Sequence, residues 1–395
     1  MTLWEEFVKV APDREMAGYF ERAPDPGGSS GMALTFDRAE ELVTLDRHDG
    51  WAELGRTTDR FLADPRSAVV GYVGFDAVGL FEPALAGHRG DGPFPLGELA
   101  FVRHARVRRT YLEPRRGSRA GSVRRPLSDS LPAGPFGRSV RHLVEAIRAG
   151  EAFQVVLAHR RAWPRPSDLL ERAGRLRATE RFAFFYYLKF GDREVVGASP
   201  ESVVEVRGHH AYVNPIAGTL PARPFGGPRL PLRRDPKELA EHRMLVDLAR
   251  NDLGAVARPG SVRLVWEERR QRFARLEHLV SRVAGHLRPD VGPWDALAAT
   301  FPAGTVSGAP KIRATELLRR EEGTWRGPYA GTVALLRPHA QADFALAIRS
   351  AFAEGRRLYT AAGAGIVHRS DPAREFEETL SKLEHVEATL VGGSA

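Results

Sequence analysis

The second two-thirds of the chain alternates between helical and strand periodicities. Ser139 to Ala149, SVRHLVEAIRA, places Val140, Leu143, Val144 and Ile147 on one helical face, and Gly150 is its stop. EAFQVVLAHRRAW follows, an apolar strand with Gln154 set in it. A helix around Pro166 to Ala178 leads to Phe182–Phe190 and Glu194–Gly197, which read as paired strands. Ala198-Ser199-Pro200-Glu201 is a turn that leaves one carboxylate at a strand end. Glu201–Val206 and Ala211–Val213 then predict a hairpin. Asp235-Pro236 opens a helix with Leu239, Met244, Leu245, Leu248 and Leu253 on its apolar side. Strands are expected over Tyr329–Leu336, Ala345–Phe352 and Leu358–Ala362. Asp371-Pro372 starts a last helix, Asp as N-cap and Pro at the first helical position.

The N-terminal part has a different texture. Ser67–Phe81 runs from an apolar strand into a Gly-aromatic segment. Ala100–Leu112 alternates apolar and basic residues like a half-exposed strand, and RRGSRAGSVRR after it reads as a loop. Leu131-Pro132-Ala133-Gly134-Pro135 marks the expected boundary between residues 1–132 and 133–395. Strand-rich halves with long helices between them argue for an α+β fold, not a doubly wound parallel sheet.

Charge and composition narrow the function classes. Net charge is +8, and the densest basic run is Arg103 to Arg125. Tyr111 is its one stacking aromatic and no nucleic-acid motif accompanies it, so nucleic acid is not an expected partner. Lysine occurs only at Lys9, Lys189, Lys237, Lys311 and Lys382, so nearly all of the 58 basic residues are arginine. A lysine kept inside a motif, as at Lys311 and Lys382, points to a need for a compact ammonium. With no cysteine there is no disulfide, thiolate metal site or catalytic thiol. No apolar run approaches the roughly 20 residues that span a bilayer. MTLWEEFVKV lacks the basic start of a signal peptide, so the expected location is the cytoplasm.

The candidate chemistry divides by sign. Glu375 and Glu378 are three apart on the last predicted helix, with Lys382 one turn on. Glu238 and Glu241 repeat the spacing on the helix opened by Asp235-Pro236. Oxygen-only ligands without cysteine favour Mg²⁺ over Zn²⁺. Arg349 inside FALAIRSAF is costly unless it meets an anion. Asn214–Thr219, where Gly218 permits close approach and Thr219 adds a hydroxyl, could hold a carboxylate. The same holds for the loop FPAGTVSGAPKIR with Thr305, and for Gly363-Ala364-Gly365, read as a turn. On the residues alone, His278 in EHLV reads as a satisfied core histidine. This much implies magnesium-assisted chemistry on a small carboxylate or phosphate.

The motifs, in order, are FQVVLAHR, GASPES, NPIAGT, EHRMLVDLARNDLG, EHLVSRV, FPAGTVSGAPKIRA, GPYAGTVALL, AIRSAF and AGAGIV…DPAREFEETLSK. They run from about Phe136 to the end. In them the chain resembles the large subunits of anthranilate synthases, in the chorismate-utilising enzyme family, and GYVGFDAVGLFE suits that family's N-terminal region.

The resemblance implies an α+β enzyme of two large, mostly antiparallel sheets packed face to face, with helices outside. It implies Glu241 and Glu378 as Mg²⁺ ligands with Glu238 and Glu375 beside them, the metal binding the ring carboxylate of chorismate. Arg349 and Tyr329 would contact the enolpyruvyl carboxylate. Gly218, Thr219, Thr305, Gly363, Ala364, Gly365 and Lys382 would line the pocket. Glu201 matches the general acid for the departing ring hydroxyl, and His278 matches a histidine tied to pyruvate elimination. Relatives that make isochorismate place a Lys base where this chain has Gln154, so ammonia is the expected nucleophile. Aminodeoxychorismate synthases commonly carry a Lys where this chain has Ala217, so direct amination beside the ring carboxylate is expected. The product would be anthranilate, for tryptophan biosynthesis. The alternative is an aminodeoxychorismate or aminodeoxyisochorismate synthase. Lacking cysteine, the chain should take ammonia from a glutamine amidotransferase subunit, in a hetero-oligomer, or from solution. The motifs of the family's tryptophan site are not found, Glu180–Phe184 standing in place of one, and weak or absent inhibition by tryptophan is expected.

Overall fold

The segment FFYYLKF, Phe184–Phe190, is apolar at all but one position because both its faces are covered. Phe184, Tyr186, Leu188 and Phe190 turn into a core between two sheets, while Phe185 and Tyr187 turn the other way into a second core beneath helices. The coordinates are a computed structural model that describes residues 1–24, 31–46, 50–87, 92–110, 125–221, 236–273 and 276–392. Within them lie two ten-stranded sheets in which every strand pair is antiparallel.

Across the first sheet the strands run Gly308–Ala309, Gln154–Pro164, Arg357–Ile366, Ser350–Glu354, Arg193–Ser199, Phe184–Phe190, Met16–Arg22, Gly31–Phe36 and Arg106–Thr110, with Ser128–Asp129 added beside Gln154–Pro164. The second runs Ile216–Pro221, Leu276–His286, His210–Val213, Ser202–Arg207, Gln341–Leu346, Thr332–Arg337, Ala68–Val73, Gly97–Val102 and Glu41–Leu45, with Arg263–Phe273 beside Leu276–His286. Each sheet therefore draws strands from both sides of Pro132. One continuous core joins their facing surfaces, from Phe20 and Leu34 in the first to Val69 and Phe344 in the second. Helices Leu3–Val10, Leu169–Thr179 and Pro372–Leu390 cover the outer face of the first sheet. The α+β class and the two-sheet architecture agree with expectation.

The chain passes between sheets at short corners, and two of these break strands that sequence pattern joined. Ala100–Leu112 is not one strand: Gly97–Val102 belongs to the second sheet and Arg106–Thr110 to the first, with His104 between them at φ 59°. Ala345–Phe352 likewise divides into Gln341–Leu346 and Ser350–Glu354, and Arg349 sits in the break at φ 53°. Around Arg349 both flanking strands stay buried, so hydrophobicity alone does not reveal the bend; at His104 the buried strand Gly97–Val102 passes into the exposed Arg106–Thr110. A side chain at positive φ costs roughly 1 kcal/mol or more and persists only where surrounding packing imposes it.

A buried ion pair helps tie the facing surfaces. Glu98, fully buried on the second sheet, accepts Arg193 Nη2 at 2.6 Å and Nε at 2.9 Å from the first, and also the Tyr72 hydroxyl at 2.8 Å. Removing one member of such a pair leaves the other desolvated without compensation. Glu98→Leu should therefore lower unfolding free energy by about 3 kcal/mol, read from urea or guanidinium transitions.

Candidate active site

Glu201 stands at a corner, between Arg193–Ser199 of the first sheet and Ser202–Arg207 of the second. Pro200 stops the strand, and the Ser199 hydroxyl donates to Glu201 O at 3.1 Å. The Glu201 side chain is buried and accepts a hydrogen bond from the Thr305 hydroxyl at 2.9 Å. Burial raises its pKa to about 8, against the smaller opposing pull of the Thr305 bond. The group is thus a neutral carboxylic acid at pH 7, able to give a proton. Thr305 belongs to a short helix, Gly304–Ser307, pressed onto Pro236–Gly254: a Cβ at Gly304 would lie 2.2 Å from Leu248 Cδ2.

Arg349 occupies the neighbouring corner. Leu346 N donates to Glu201 O at 2.9 Å and Ala198 N to Arg349 O at 3.2 Å, so the two corners run side by side. Among the described residues no hydrogen bond or ion pair is made by the Arg349 guanidinium, which is only half-buried by surface area. Desolvation pulls its pKa down, opposed by Glu180 and Tyr329. Tyr329, buried against the same space, has its phenol pushed up to about 12 by burial. An unpaired, partly desolvated guanidinium beside a phenol is a receptor for a carboxylate.

The glycines lie elsewhere in the backbone than expected. Gly363-Ala364-Gly365 is not a turn: it continues the strand Arg357–Ile366, paired residue for residue with Gln154–Pro164. Their smallness lets side chains approach the strand. A Cβ on Gly365 would lie 2.3 Å from Gln154 Nε2, and the Gly363 carbonyl accepts Lys382 Nζ at 2.8 Å. The Gln154 side chain is buried and its Nε2 donates to Glu241 Oε1 at 3.3 Å, while its own Oε1 has no partner among the described residues.

Lys382 also pairs with Glu378 Oε1 at 2.7 Å, and Glu378 is half exposed. Glu375 is half-buried one turn earlier. Glu378 opens toward solvent, and among the described residues its one cation is the Lys382 ammonium. Gly218 and Thr219 fall in the strand Ile216–Pro221, His278 in Leu276–His286 and Glu238 in Pro236–Gly254. Their side chains lie outside the described residues.

No three His, Cys, Asp or Glu side chains gather as ligands among the described residues. Glu241 and Glu378 are nonetheless linked through one strand, by Gln154 against Gly365 and by Lys382 on the Gly363 carbonyl. Two carboxylates, one already holding an ammonium, suit a hard cation that keeps waters and shares its shell with an anionic substrate.

Sequence reading did not single out Arg326. Buried, it donates to the Val306 carbonyl and the Val156 carbonyl, each at 2.7 Å, and pairs with Glu322, whose Oε1 accepts Ala158 N at 2.8 Å. It ties the Thr305 helix to the Gln154 strand. The signal was a lone arginine in the apolar, Gly- and Pro-bounded stretch TWRGPY.

Two antiparallel sheets thus carry a buried acid and, among the described residues, an unpaired guanidinium at neighbouring corners, with carboxylates on two helices linked through one strand, an arrangement suited to a small, multiply charged anion. The chain belongs to the chorismate binding enzyme family, whose profile matches residues 17–388. It is 38% identical over 338 residues to anthranilate synthase component 1 of Methanothermobacter marburgensis, covering 80% of this chain and 72% of that one. To the protein of the same name from Streptomyces coelicolor it is 44% identical over 261 residues, 64% of this chain and only 50% of the relative. The solved anthranilate synthase component I of Streptococcus pneumoniae TIGR4 superposes with a TM-score of 0.73 at 29% identity, covering 94% of this chain and 90% of that one.

The raised Glu201 pKa has a thermodynamic consequence. The folded state holds its proton up to about pH 8, whereas the unfolded carboxyl releases it near its ordinary value. The stabilising contribution of the neutral buried acid is complete below the unfolded pKa and is lost as pH rises through the folded one. Glu201→Gln should gain stability relative to the parent from pH 5 to pH 9, which paired denaturation curves would show as a widening gap.

Proposed function

We propose that this chain is the chorismate-binding component of an anthranilate synthase. It converts chorismate and ammonia to anthranilate, pyruvate and water, the tryptophan-forming branch of chorismate chemistry. Glu201 carries the reading: expulsion of a ring hydroxyl needs a proton donor at neutral pH, and this carboxyl keeps its proton to about pH 8.

In the first step ammonia forms a C–N bond beside the ring carboxylate, the ring double bonds shift, and the ring C–O bond breaks. Glu201 gives its proton to the leaving oxygen, which departs as water. Arg349 and Tyr329 hold the enolpyruvyl carboxylate and fix the ring's orientation. In the second step the ring loses a proton and the enolpyruvyl group leaves as pyruvate, aromatising the ring. His278 is the proposed residue for this elimination. Gly218, Thr219, Gly363, Ala364, Gly365 and Lys382 are the proposed remainder of the pocket wall.

Mg²⁺, held by Glu241 and Glu378 with Glu238 and Glu375 in support, would neutralise the ring carboxylate and so favour attack beside it. Gln154 supports ammonia over water. Its amide cannot take a proton from water, as a lysine base would, and its unpartnered buried Oε1 is an acceptor suited to an N–H donor. The chain has no cysteine to hydrolyse glutamine, so a separate amidotransferase supplies the ammonia in the proposed assembly. No helix among the described residues is long and apolar enough to cross a membrane. A cytoplasmic location is proposed.

Incubating the purified chain with Mg²⁺, chorismate and an ammonium salt should release pyruvate and fluorescent anthranilate in equal amounts. Pyruvate-free accumulation of an aminated intermediate would instead identify an aminodeoxychorismate or aminodeoxyisochorismate synthase. Under the same assay Glu201→Gln should lose at least about a hundredfold in kcat, and parental kcat should fall as pH rises past about 8.

Tryptophan titrated into that assay should inhibit weakly or not at all. Glu180, in the segment that stands for one family tryptophan motif, is buried and committed to His385 at 3.3 Å. Strong inhibition at micromolar tryptophan would contradict this.

A further inference from the structure

We infer that Asp129, His159 and Thr379 form a positioning relay that sets the helix face presenting Glu375 and Glu378. The inference rests on the proposal that these glutamates serve a cation. His159 lies in the strand Gln154–Pro164, directly opposite Ala362 of Arg357–Ile366, and is almost fully buried. Its Nδ1 is 2.9 Å from Asp129 Oδ1 and 3.0 Å from Oδ2, and its Nε2 is 2.9 Å from Thr379 Oγ. The Thr379 hydroxyl donates to the Phe376 carbonyl at 2.6 Å, so it faces the imidazole as an acceptor. A carboxylate likewise only accepts. Held between the carboxylate and the hydroxyl, the ring is fixed in plane and in direction. Phe136 and Phe376 close over it, with ring centroids 5.9 and 5.2 Å away.

The relay runs from the short strand Ser128–Asp129 to the C-terminal helix. Asp129 is held by its own strand pairing with Arg161 and by Leu131 N, which donates to Oδ1 at 3.0 Å. Thr379, fully buried, is the residue after Glu378 and stands one turn beyond Glu375. Farther along the helix Glu387 accepts Arg161 Nη1 and the Thr360 hydroxyl, each at 2.7 Å, while Leu383, Val386 and Leu390 supply the apolar contact. Apolar packing is non-directional: it fixes how close the helix lies but only weakly its rotation. A hydrogen bond at Thr379 fixes rotation at the point where it decides where Glu378 aims. The segment around Asp129 contributes no group to the proposed chemistry. Its buried tie to the glutamate helix is otherwise without a role beyond stability.

A purely structural tie and a positioning relay differ in what metal binding reports. Mg²⁺ titrated into the purified full chain by calorimetry gives an affinity, and thermal melting without metal gives stability. Thr379→Val keeps the shape and removes the acceptor. It should weaken Mg²⁺ binding by about tenfold or more, the usual effect of losing a group that orients a ligand. Thr379→Ser should restore it. Asp129→Asn, at the solvent-nearer end, should weaken binding in the same direction, and it decides the matter if Thr379→Val does not fold. A lowered melting temperature with unchanged Mg²⁺ affinity in the valine and asparagine variants would overturn the relay. Glu378→Gln serves as the reference: if it too leaves Mg²⁺ affinity unchanged, the cation reading fails and the relay with it. If Glu378→Gln weakens binding while the relay variants do not, the relay alone fails.

Discussion

Two sheets that share one core can exchange chain only at their corners, and the proposed site depends on that restriction. The strand pair Arg193–Ser199 with Ser350–Glu354 lies in one sheet, and its continuation Ser202–Arg207 with Gln341–Leu346 lies in the other. Two neighbouring strands thus bend together, and their bends carry Glu201 and Arg349. At a bend the ladder is interrupted, so a side chain can point along the gap between the sheets instead of into either face. Thr305 reaches Glu201 from a third passage between the sheets, through helices Pro293–Thr300 and Gly304–Ser307 to Gly308–Ala309.

The same dry setting pushes an acid and a base in opposite senses of charge but the same sense of energy. Among the described residues no cation stands beside Glu201, and burial keeps it neutral. Arg349 cannot reasonably lose its proton, so desolvation leaves it a charge seeking a counter-ion. Elsewhere the core settles its charges internally: Glu98 with Arg193, Glu322 with Arg326, Asp252 with Lys311 at 2.7 Å. Lys311, one of the few lysines, is thereby accounted for as a buried partner of Asp252 and a donor to the Thr300 carbonyl at 2.8 Å. The unsettled groups cluster at the corners, and that contrast separates a site from a scaffold.

Much of this could be read from the chain. Helix and strand periods located most elements, the Ser-Pro-Glu turn placed Glu201 at a strand end, and the motif order supplied the family. What escaped were features that a hydrophobic pattern does not encode. Arg349 interrupts a run whose apolar character continues across the break, because burial persists while the sheet changes. Gly363 and Gly365 resembled a turn because glycine is common in turns. Here they thin a strand so that Gln154 and Lys382 can approach it. The Arg326 bond to Val156 and the His159 bond to Thr379 join residues more than a hundred positions apart, a relation visible only once the sheets are formed.

Gln154 brings the two kinds of information together. In sequence it is a polar residue in an apolar strand, notable only against relatives that carry lysine there. In the structure its amide fills the space left by the missing Cβ of Gly365, gives one N–H to Glu241 and leaves its oxygen free. A lysine reaching the same place would put its ammonium on Glu241 and bring a further cation close to Lys382, drawing a carboxylate away from any metal. The neutral amide avoids this competition: in the proposed function it would keep Glu241 available as a ligand while offering an acceptor rather than a base. Under the proposed function, nucleophile choice and metal binding are therefore not independent, since both depend on whether the residue at position 154 carries charge.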